Sequence, residues 1–216
     1  NFGNVVLGSS STLQTTISNP DTIDLVINGI TSSNGEFIFT PNTFPDTITA
    51  GGSQIFDVTF TPTVTGLLSG TLTITHNASG SPTVYSVQGT GVAAGFSISP
   101  ASLSFGNVVL GSSSTLQATI SNPGTSDLVI SGISSSATQF TFSPNVFPVT
   151  ITAGGSQIFD VTFTPTVTGL LSGTLTITHN AAGSPTVYSV QGTGVAAGFS
   201  ISPVSLSFGN VVLGSS

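Results

Sequence analysis

Two histidines are the side chains of this sequence best suited to catalysis or metal binding. His76 and His179 each stand in a Thr-His-Asn string, and the two strings are 103 residues apart. A zinc site needs several converging ligands, and cysteine, the other common ligand, is absent. Each string contains one histidine, so we interpret both as structural residues at the end of a strand.

The three residue types of a hydrolase triad are all present, but their spacing does not indicate one. The Gly-x-Ser-x-Gly string that holds a nucleophile on a sharp turn does not occur. Serine is abundant, so chance neighbours of a histidine are expected. We predict that the chain is not an enzyme and has no catalytic, cofactor-binding or metal-binding residues and no cofactor.

The positions of the few carboxylates in the sequence suggest structural roles for them. Asp24 and Asp127 each precede a predicted strand, where aspartate favours turn geometry, and Asp57 and Asp160 lie among threonines on a predicted outward face. The alternative is a calcium ion between domains, held by Asp24, Asp57 and main-chain carbonyls. The Asp-x-Asp-x-Asp-Gly pattern of a calcium loop is missing, which favours the structural interpretation.

One glycine-rich string resembles a phosphate-binding loop. In Gly192–Gly198 the third glycine comes one residue late, and a strand rather than a helix is expected to follow. The same letters recur at Gly89–Gly95. We interpret both strings as flexible junctions of about six residues between neighbouring domains.

A tandem repeat with a period of 103 residues dominates the sequence. The string Phe-Gly-Asn-Val-Val-Leu-Gly-Ser-Ser begins at Phe2, at Phe105 and again at Phe208. When residues 2–113 are laid on residues 105–216, 14 of the 112 pairs differ. Such fidelity indicates recent duplication and a part used in series, where number and spacing matter more than any single site.

The repeat predicts the domain organisation. We expect residues 1–95 to form a first domain with an incomplete first strand, and residues 96–198 to form a complete second domain. Residues 199–216 then supply either the first strand of a third domain or a strand donated to another chain. We favour a window from a longer array, because exact internal repeats rarely stop at two copies.

Hydrophobic periodicity predicts strands throughout. Leu116, Ala118 and Ile120 alternate with polar residues, as do Phe159 and Phe163 around Val161. The predicted strands of the second repeat are 97–105, 114–122, 127–134, 139–143, 156–164, 170–179 and 185–192, and the first of them is expected to break at Pro100. Seven short strands in about 100 residues predict an all-β, immunoglobulin-like sandwich.

The amino-acid composition limits the cellular location and the binding partners that are expected for this chain. Lysine and arginine are absent, and seven acidic residues give a net charge of −7. Nucleic acid and anionic lipid are therefore poor partners. No run of 18 apolar residues occurs, so this segment is not expected to span a membrane. A hydroxyl-rich, nearly uncharged surface favours an extracellular location and offers sites for O-glycans.

The order of several strings carries a resemblance to a known family. They are Phe-Gly-Asn-Val-Val-Leu-Gly from Phe105, Ile-Ser-Asn-Pro-Gly from Ile120, Ile-Thr-Ala-Gly-Gly-Ser-Gln-Ile-Phe-Asp-Val-Thr-Phe-Thr-Pro from Ile151, Gly-Thr-Leu-Thr-Ile-Thr-His-Asn from Gly173 and Gln-Gly-Thr-Gly-Val from Gln191. The sequence resembles the choice-of-anchor D repeat of bacterial surface and secreted proteins, which is similar to the Hydin and abnormal-spindle immunoglobulin-like domains. The resemblance implies PapD-like or major-sperm-protein-like sandwiches that act as spacers, and it brings no catalytic residues.

The differences between the repeats are concentrated in one segment. Eleven of the 14 fall between residues 21 and 46, which we interpret as an exposed edge or, alternatively, as a contact surface that varies along an array. Edge strands of sandwiches are usually protected by lysine or other charges, which this chain lacks. Either glycans shield the edges or they pair in an assembly.

Together these observations predict a structural repeat of an extracellular bacterial fibre or cell-surface appendage, with self-association possibly by strand addition through residues 199–216. The alternatives are a monomeric spacer stalk of an adhesin and a glycan- or protein-binding module that uses the 21–46 patch.

Overall fold

The computed structural model describes residues 1–210 and 212–214, and every element in it is a strand. We call residues 1–95 repeat 1 and residues 96–198 repeat 2, after the sequence period. The strands of repeat 1 are β1 (Asn4–Val6), β2 (Ser11–Ser18), β3 (Leu25–Ser32), β4 (Phe37–Thr40), β5 (Asp46–Ile48), β6 (Ser53–Phe60), β7 (Gly66–His76) and β8 (Thr83–Val92). Those of repeat 2 are β9 (Ser97–Ser99), β10 (Ser102–Val109), β11 (Ser114–Ser121), β12 (Leu128–Ser135), β13 (Phe140–Ser143), β14 (Val149–Ile151), β15 (Ser156–Phe163), β16 (Gly169–His179) and β17 (Thr186–Val195).

Each repeat forms two sheets. In repeat 1 a five-stranded sheet has the order β1-β8-β7-β3-β5, and a three-stranded sheet has the order β2-β6-β4. In repeat 2 the corresponding sheets are β10-β17-β16-β12-β14 and β13-β15-β11-β9. The second sheet therefore gains a strand in repeat 2. The predicted all-β, immunoglobulin-like sandwich is confirmed.

The apolar residues predicted to point inward form the core. In repeat 2, Phe159, Val161 and Phe163 are at most 3% exposed, and Ala118 and Ile120 are also buried. Phe140 and Phe163 stack with ring centroids 4.8 Å apart, and their counterparts Phe37 and Phe60 do so at 4.7 Å. This aromatic burial stabilises each sandwich without a disulfide, since the chain has no cysteine.

The structure contains more strands than the seven predicted for repeat 2. The predicted first strand divides at Pro100 into β9 and β10. β9 belongs to the four-stranded sheet and β10 to the five-stranded sheet, so the chain passes from one sheet to the other at this proline. The additional strand β14 lies at a sheet edge and is three residues long, so its sequence carries too little periodicity to be recognised.

None of the described residues forms a helix long and apolar enough to cross a membrane.

Candidate functional site

The divided first strand of repeat 2 closes one side of the sandwich. β9 pairs antiparallel with β11, in the register Ser97↔Ser121, Ile98↔Ile120 and Ser99↔Thr119. β10 then pairs parallel with β17, with Leu103 opposite Val190. The segment Phe96–Leu103 thus bridges the two sheets and supplies main-chain partners to an edge strand of each.

Side chains of this segment cover a set of core residues. The Phe96 ring stacks on the imidazole of His179 with centroids 4.2 Å apart and an angle of 6° between the ring planes. The Tyr188 hydroxyl donates a hydrogen bond of 2.9 Å to the carbonyl oxygen of Pro100. Leu103 is 4% exposed. The patch is therefore covered by the side chains of Phe96 and Leu103 and by the hydrogen bond between Tyr188 and Pro100.

Burial in this patch shifts two pKa values. Desolvation lowers the pKa of His179 from its ordinary value, because the covered ring is kept from the water that stabilises its charged form. Desolvation also raises the pKa of the Tyr188 phenol. Both pKa shifts favour the neutral form of the side chain.

The corresponding patch of repeat 1 forms an open groove in the structure. The groove holds about 380 Å³ and is lined mainly by the counterparts of the covered patch. Its lining includes Ile17, Leu25, Ile74, His76, Ala78 and Tyr85. The walls are apolar, and the chemistry they favour is the burial of hydrophobic side chains.

Exposure of equivalent residues shows what Phe96–Leu103 covers in repeat 2. Tyr85 is 46% exposed, whereas its counterpart Tyr188 is 2% exposed. Ala78 is exposed, whereas its counterpart Ala181 is buried. Tyr85 and Ala78 are the same residues as their counterparts, so the difference reflects the cover that Phe96–Leu103 gives in repeat 2.

Both sheets of repeat 1 also present open main-chain edges along the groove. Among the described residues, β2 pairs with β6 alone, while its counterpart β11 has β9 on its other side. Main-chain hydrogen bonds between residues 2–6 and β8 reach back to the carbonyl of Gln88, whereas β10 reaches back to Ser189 of β17, the counterpart of Ser86. The groove therefore offers unused strand edges as well as apolar walls.

A second copy of the segment Phe96–Leu103 lies at the other end of the described chain. Phe199–Leu206 repeats Phe96–Leu103 with one change, Val204 for Ala101. The stretch belongs to no strand, and its apolar side chains are exposed: Phe199 by 90%, Ile201 by 65% and Leu206 by 72%. Residues 211, 215 and 216 of the expected tail lie outside the described residues.

The two repeats are joined by a short linker that is docked rather than free. The Ala93 carbonyl accepts hydrogen bonds from the amides of Thr125 and Ser126, at 2.8 and 3.1 Å. The amide of Gly95 donates to the side-chain oxygen of Asn122 at 2.9 Å. These bonds fix the chain that leaves β8 against the loop that follows β11.

Asn122 organises this junction, a role that the sequence analysis did not assign. Its side chain is fully buried, and its Nδ2 group donates to the carbonyls of Ser126 and Ile151. Asn19 makes the equivalent bonds in repeat 1, to Ile23 and Ile48. The Asn-Pro dipeptide after a strand in both repeats was the available signal, but it indicates only a turn.

Gly124 permits the close approach of the linker. A Cβ atom at this position would lie 2.2 Å from the Gly95 nitrogen and 2.4 Å from the Ala93 carbonyl oxygen. The equivalent residue in repeat 1 is Asp21, which carries such an atom. The loop of repeat 1 therefore cannot accept a linker in the way that the loop of repeat 2 does.

The glycine-rich strings are shorter junctions than predicted. Gly192 and Gly194 lie within β17, and Gly89 and Gly91 lie within β8. The prediction of about six connecting residues was therefore wrong. The connection between the repeats is Ala93–Phe96. The strand glycines are needed for packing, since a Cβ atom on Gly192 would meet the Phe163 ring at 2.4 Å.

The histidines lie at strand ends, as predicted, and their ring nitrogens contact threonine. His179 Nε2 is 3.0 Å from the Thr186 hydroxyl, and His76 Nε2 is 2.9 Å from the Thr83 hydroxyl. Across residues 1–210 and 212–214, no group of three or more acidic or histidine side chains is placed to hold a metal ion.

The aspartates considered for calcium take part in local hydrogen bonds. Asp24 accepts from the amide of Ala50 at 3.1 Å, and Asp160 accepts from the side chain of Gln117 at 2.9 Å. The Asn77 side chain accepts a hydrogen bond from the amide of Val26 and donates one to the carbonyl of Asp24. These contacts connect loops and strands within one repeat.

The variable 21–46 patch contains two edge strands. β4 ends the three-stranded sheet of repeat 1, and β5 ends the five-stranded sheet on the same side. Ile38 of β4 is 55% exposed, and Ile23, in the loop before β3, is 74% exposed. The positions that differ between repeats are therefore mostly at the surface, on the side opposite the first-strand groove.

Comparison with known protein families identifies both repeats. Residues 1–90 match the HYDIN/CFA65/VesB-like immunoglobulin-like domain. Residues 89–187 match the ASH domain, described as abnormal spindle-like microcephaly-associated, ASPM-SPD-2-Hydin. Together the two matches extend over most of the chain. Each repeat matches a model of the Hydin and abnormal-spindle group of immunoglobulin-like domains, which confirms that part of the resemblance.

Solved structures match this chain at low sequence identity and with TM-scores below 0.5. A protein of unknown function from Porphyromonas gingivalis W83 is 15% identical, with a TM-score of 0.42 over 88% of this chain and 93% of that chain. PapD-like domain 7 of human CEP192 is 17% identical, with a TM-score of 0.43 over 49% of this chain and 89% of that domain. A chaperone–tip adhesion subunit complex of Acinetobacter baumannii Csu pili is 10% identical, with a TM-score of 0.30 over 90% and 96% of the two chains. A search of curated proteins finds no match.

Proposed function

We propose that this chain is a non-catalytic structural repeat of an extracellular fibre or cell-surface appendage of a bacterium. In this proposal the domains are residues 1–95 and 96–198, and residues 199–216 begin a further sandwich or complete one in another chain. The observation that carries the proposal is the docked linker, whose bonds to Thr125, Ser126 and Asn122 hold consecutive sandwiches in series.

The charge composition of the chain limits which forces could hold copies of it together. The sequence has seven acidic residues and neither lysine nor arginine, so two copies cannot form the usual interchain salt bridges. Like charges also repel copies of the chain at long range. A stable assembly must therefore rely on main-chain hydrogen bonds and apolar burial, which strand addition supplies.

Electron microscopy of the native material tests the proposal. We expect ordered filaments with an axial repeat equal to one or two sandwiches. A native sample that contains only isolated, elongated chains would contradict the fibre and support the spacer stalk of an adhesin.

A glycan- or protein-binding module is the second candidate, and the location of the variable positions favours it. Exposed edge strands β4 and β5 present side chains that differ between otherwise matching repeats. This candidate expects saturable binding that is lost when residues 28–46 are exchanged for their counterparts from repeat 2. Glycan-array binding that survives the exchange would exclude the patch. O-glycans on the hydroxyl-rich surface, a further proposal, would appear as mass heterogeneity of the native chain.

A further inference from the structure

We infer that the outward face of the five-stranded sheet binds a neutral polysaccharide in each repeat. The outward residues of β16 and β17, and those of β7 and β8, are called the hydroxyl face. They are Leu170, Ser172, Thr174, Thr176, Val187, Ser189, Gln191 and Thr193 in repeat 2, and Leu67, Ser69, Thr71, Thr73, Val84, Ser86, Gln88 and Thr90 in repeat 1. The inference goes beyond the proposed structural role and does not depend on fibre formation.

Strand register arranges the hydroxyl face in rows. Ser172 lies opposite Gln191, and Thr174 lies opposite Ser189. On the other side of β17, β10 adds one serine to each of these rows. Successive rows are about 7 Å apart, and neighbouring strands are about 5 Å apart. A shallow depression of about 400 Å³ lies over the rows, and the equivalent residues of repeat 1 line a similar depression.

The protein itself leaves the hydrogen-bonding groups of this face unused. Among the described residues, the side chains of Ser172, Ser189 and Gln191 make no hydrogen bond to another protein group, and all three are exposed. Hydroxyls on the smaller sheet differ, because Thr115 and Thr162 bond to each other at 2.8 Å. The hydroxyl face therefore keeps its capacity to bond to a ligand, whereas part of that capacity is already satisfied on the other sheet.

The distribution of charge selects an uncharged ligand. The described strands of the five-stranded sheet in repeat 2 contain no aspartate, glutamate, lysine or arginine, and Asp160 lies on the other sheet. A cationic ligand would find no carboxylate on this face. An anionic polymer would be repelled by the net charge of −7.

The side chains of the face match the chemistry of sugars. A serine or threonine hydroxyl both donates and accepts a hydrogen bond, as a sugar hydroxyl does, and the Gln191 amide donates and accepts at two separate atoms. Leu170 and Val187 stand at the two ends of the face, 70% and 62% exposed, where they can contact the C–H groups of sugar rings. A protein partner fits less well, because serine is depleted at protein interfaces.

Repetition raises the affinity of such a face. A single site binds weakly, because each hydrogen bond to the ligand replaces one to water. None of the 14 differences between the repeats falls within the hydroxyl face, so one chain carries two equal sites. A polysaccharide long enough to reach both sites binds the second one intramolecularly, at a raised effective concentration.

Removal of the hydrogen-bonding groups tests the assignment. The test variant of the full chain carries six substitutions: Ser69→Ala, Ser86→Ala, Gln88→Ala, Ser172→Ala, Ser189→Ala and Gln191→Ala. All six side chains are exposed, so folding should be unaffected. The matched control replaces both members of two hydroxyl pairs on the smaller sheets: Thr12→Val, Thr59→Val, Thr115→Val and Thr162→Val.

Affinity electrophoresis provides the measurement. The net charge of −7 carries the native chain through gels that contain dextran, galactomannan or mixed-linkage β-glucan, with alginate as the anionic comparison. At least one neutral polysaccharide should retard the unmodified chain and the control, and alginate should retard neither. The dissociation constant of the test variant should rise by a factor on the order of 100. No retardation in any neutral gel, or equal retardation of the test variant, would overturn the inference.

Variants of one repeat separate joint binding from independent binding. Alanine at the three positions of repeat 2 alone should weaken binding by more than about twofold, the loss expected when one of two independent sites is removed. A loss of only about twofold would contradict joint binding by the two faces.

Exchange of residues 28–46 for their counterparts from repeat 2 separates this face from the 21–46 patch. The exchange should leave retardation unchanged. Retardation that is lost on the exchange and kept in the test variant would assign the polysaccharide to the 21–46 patch and reject the hydroxyl face. Native filaments together with no retardation would retain the fibre proposal and reject this inference.

Discussion

Repeats 1 and 2 have nearly the same sequence, yet equivalent core residues differ in exposure. Ile120 is 1% exposed and Leu128 is fully buried, while their counterparts Ile17 and Leu25 are only half-buried. Ile17 and Leu25 are the same residues as their counterparts, and Thr15, whose counterpart is Ala118, is the one substitution among the residues that line the groove. The cover that Phe96–Leu103 gives to the core of repeat 2 accounts for the difference in exposure.

The largest expected effect compares the same truncation in the two repeats. Ile120→Ala should lower the free energy of unfolding of repeat 2 by about 2–4 kcal/mol, because it empties a fully packed site. Ile17→Ala should cost repeat 1 about half as much, since that side chain already contacts solvent. Denaturant titration followed by NMR signals from each repeat measures both values. Equal losses would show that the groove is closed in solution.

A second pair of variants should affect the repeats equally. A Cβ atom on Gly89 or on Gly192 would lie 2.4 Å from the ring of Phe60 or of Phe163. Gly89→Ala and Gly192→Ala should therefore each destabilise their own repeat by about 1–3 kcal/mol through overpacking. The same titration provides the measurement. A marked difference between the two would mean that the open groove loosens the core as far as the phenylalanine stack.

The junction gives a smaller expected effect. Gly124→Asp should displace the linker and weaken its hydrogen bonds with Asn122, Thr125 and Ser126, at a cost of about 1–2 kcal/mol. Small-angle scattering and residual dipolar couplings should report wider motion between the repeats. The matched change Asp21→Gly lies where no linker docks and should alter stability by less than about 1 kcal/mol. Unchanged couplings in Gly124→Asp would contradict the role assigned to this glycine.

The smallest effect concerns pH. The pKa of His179 is lowered in the folded state, so the unfolded chain binds the proton more strongly. Stability from this group is complete above the unfolded pKa of about 6.5 and declines as pH falls below it, by at most about 1.4 kcal/mol per pH unit. Unfolding midpoints of repeat 2 between neutral and mildly acidic pH should show this slope.

His179→Gln should remove the slope from the transition of repeat 2, and the control His76→Gln should leave that transition as it was. A slope that persists in His179→Gln would assign the pH dependence to another group.

The sequence predicted the strands well wherever alternation was long enough. β11, β15 and β16 fall within one residue of the predicted segments, because their inward positions carry the period of two. β14 was missed, since three residues after Pro148 offer no period. The break of the first strand was predicted correctly, because Pro100 has no amide hydrogen to donate to a sheet ladder.

Prediction of the site was less complete, for physical reasons. The incomplete first strand of repeat 1 followed from the repeat period, but the size and lining of the groove depend on contacts between distant strands. The strand glycines were assigned to the linker, because glycine signals a loop unless a ring packs against it, as Phe163 does on Gly192. The organising role of Asn122 depends on partners up to 29 residues away, which no local pattern shows.

The exchange of Gly124 for Asp21 has a mechanical consequence. Where a junction between two sandwiches meets a glycine at this position, its linker docks, and where it meets an aspartate, the linker cannot dock in the same way. One residue per repeat would then set how far neighbouring sandwiches bend relative to each other.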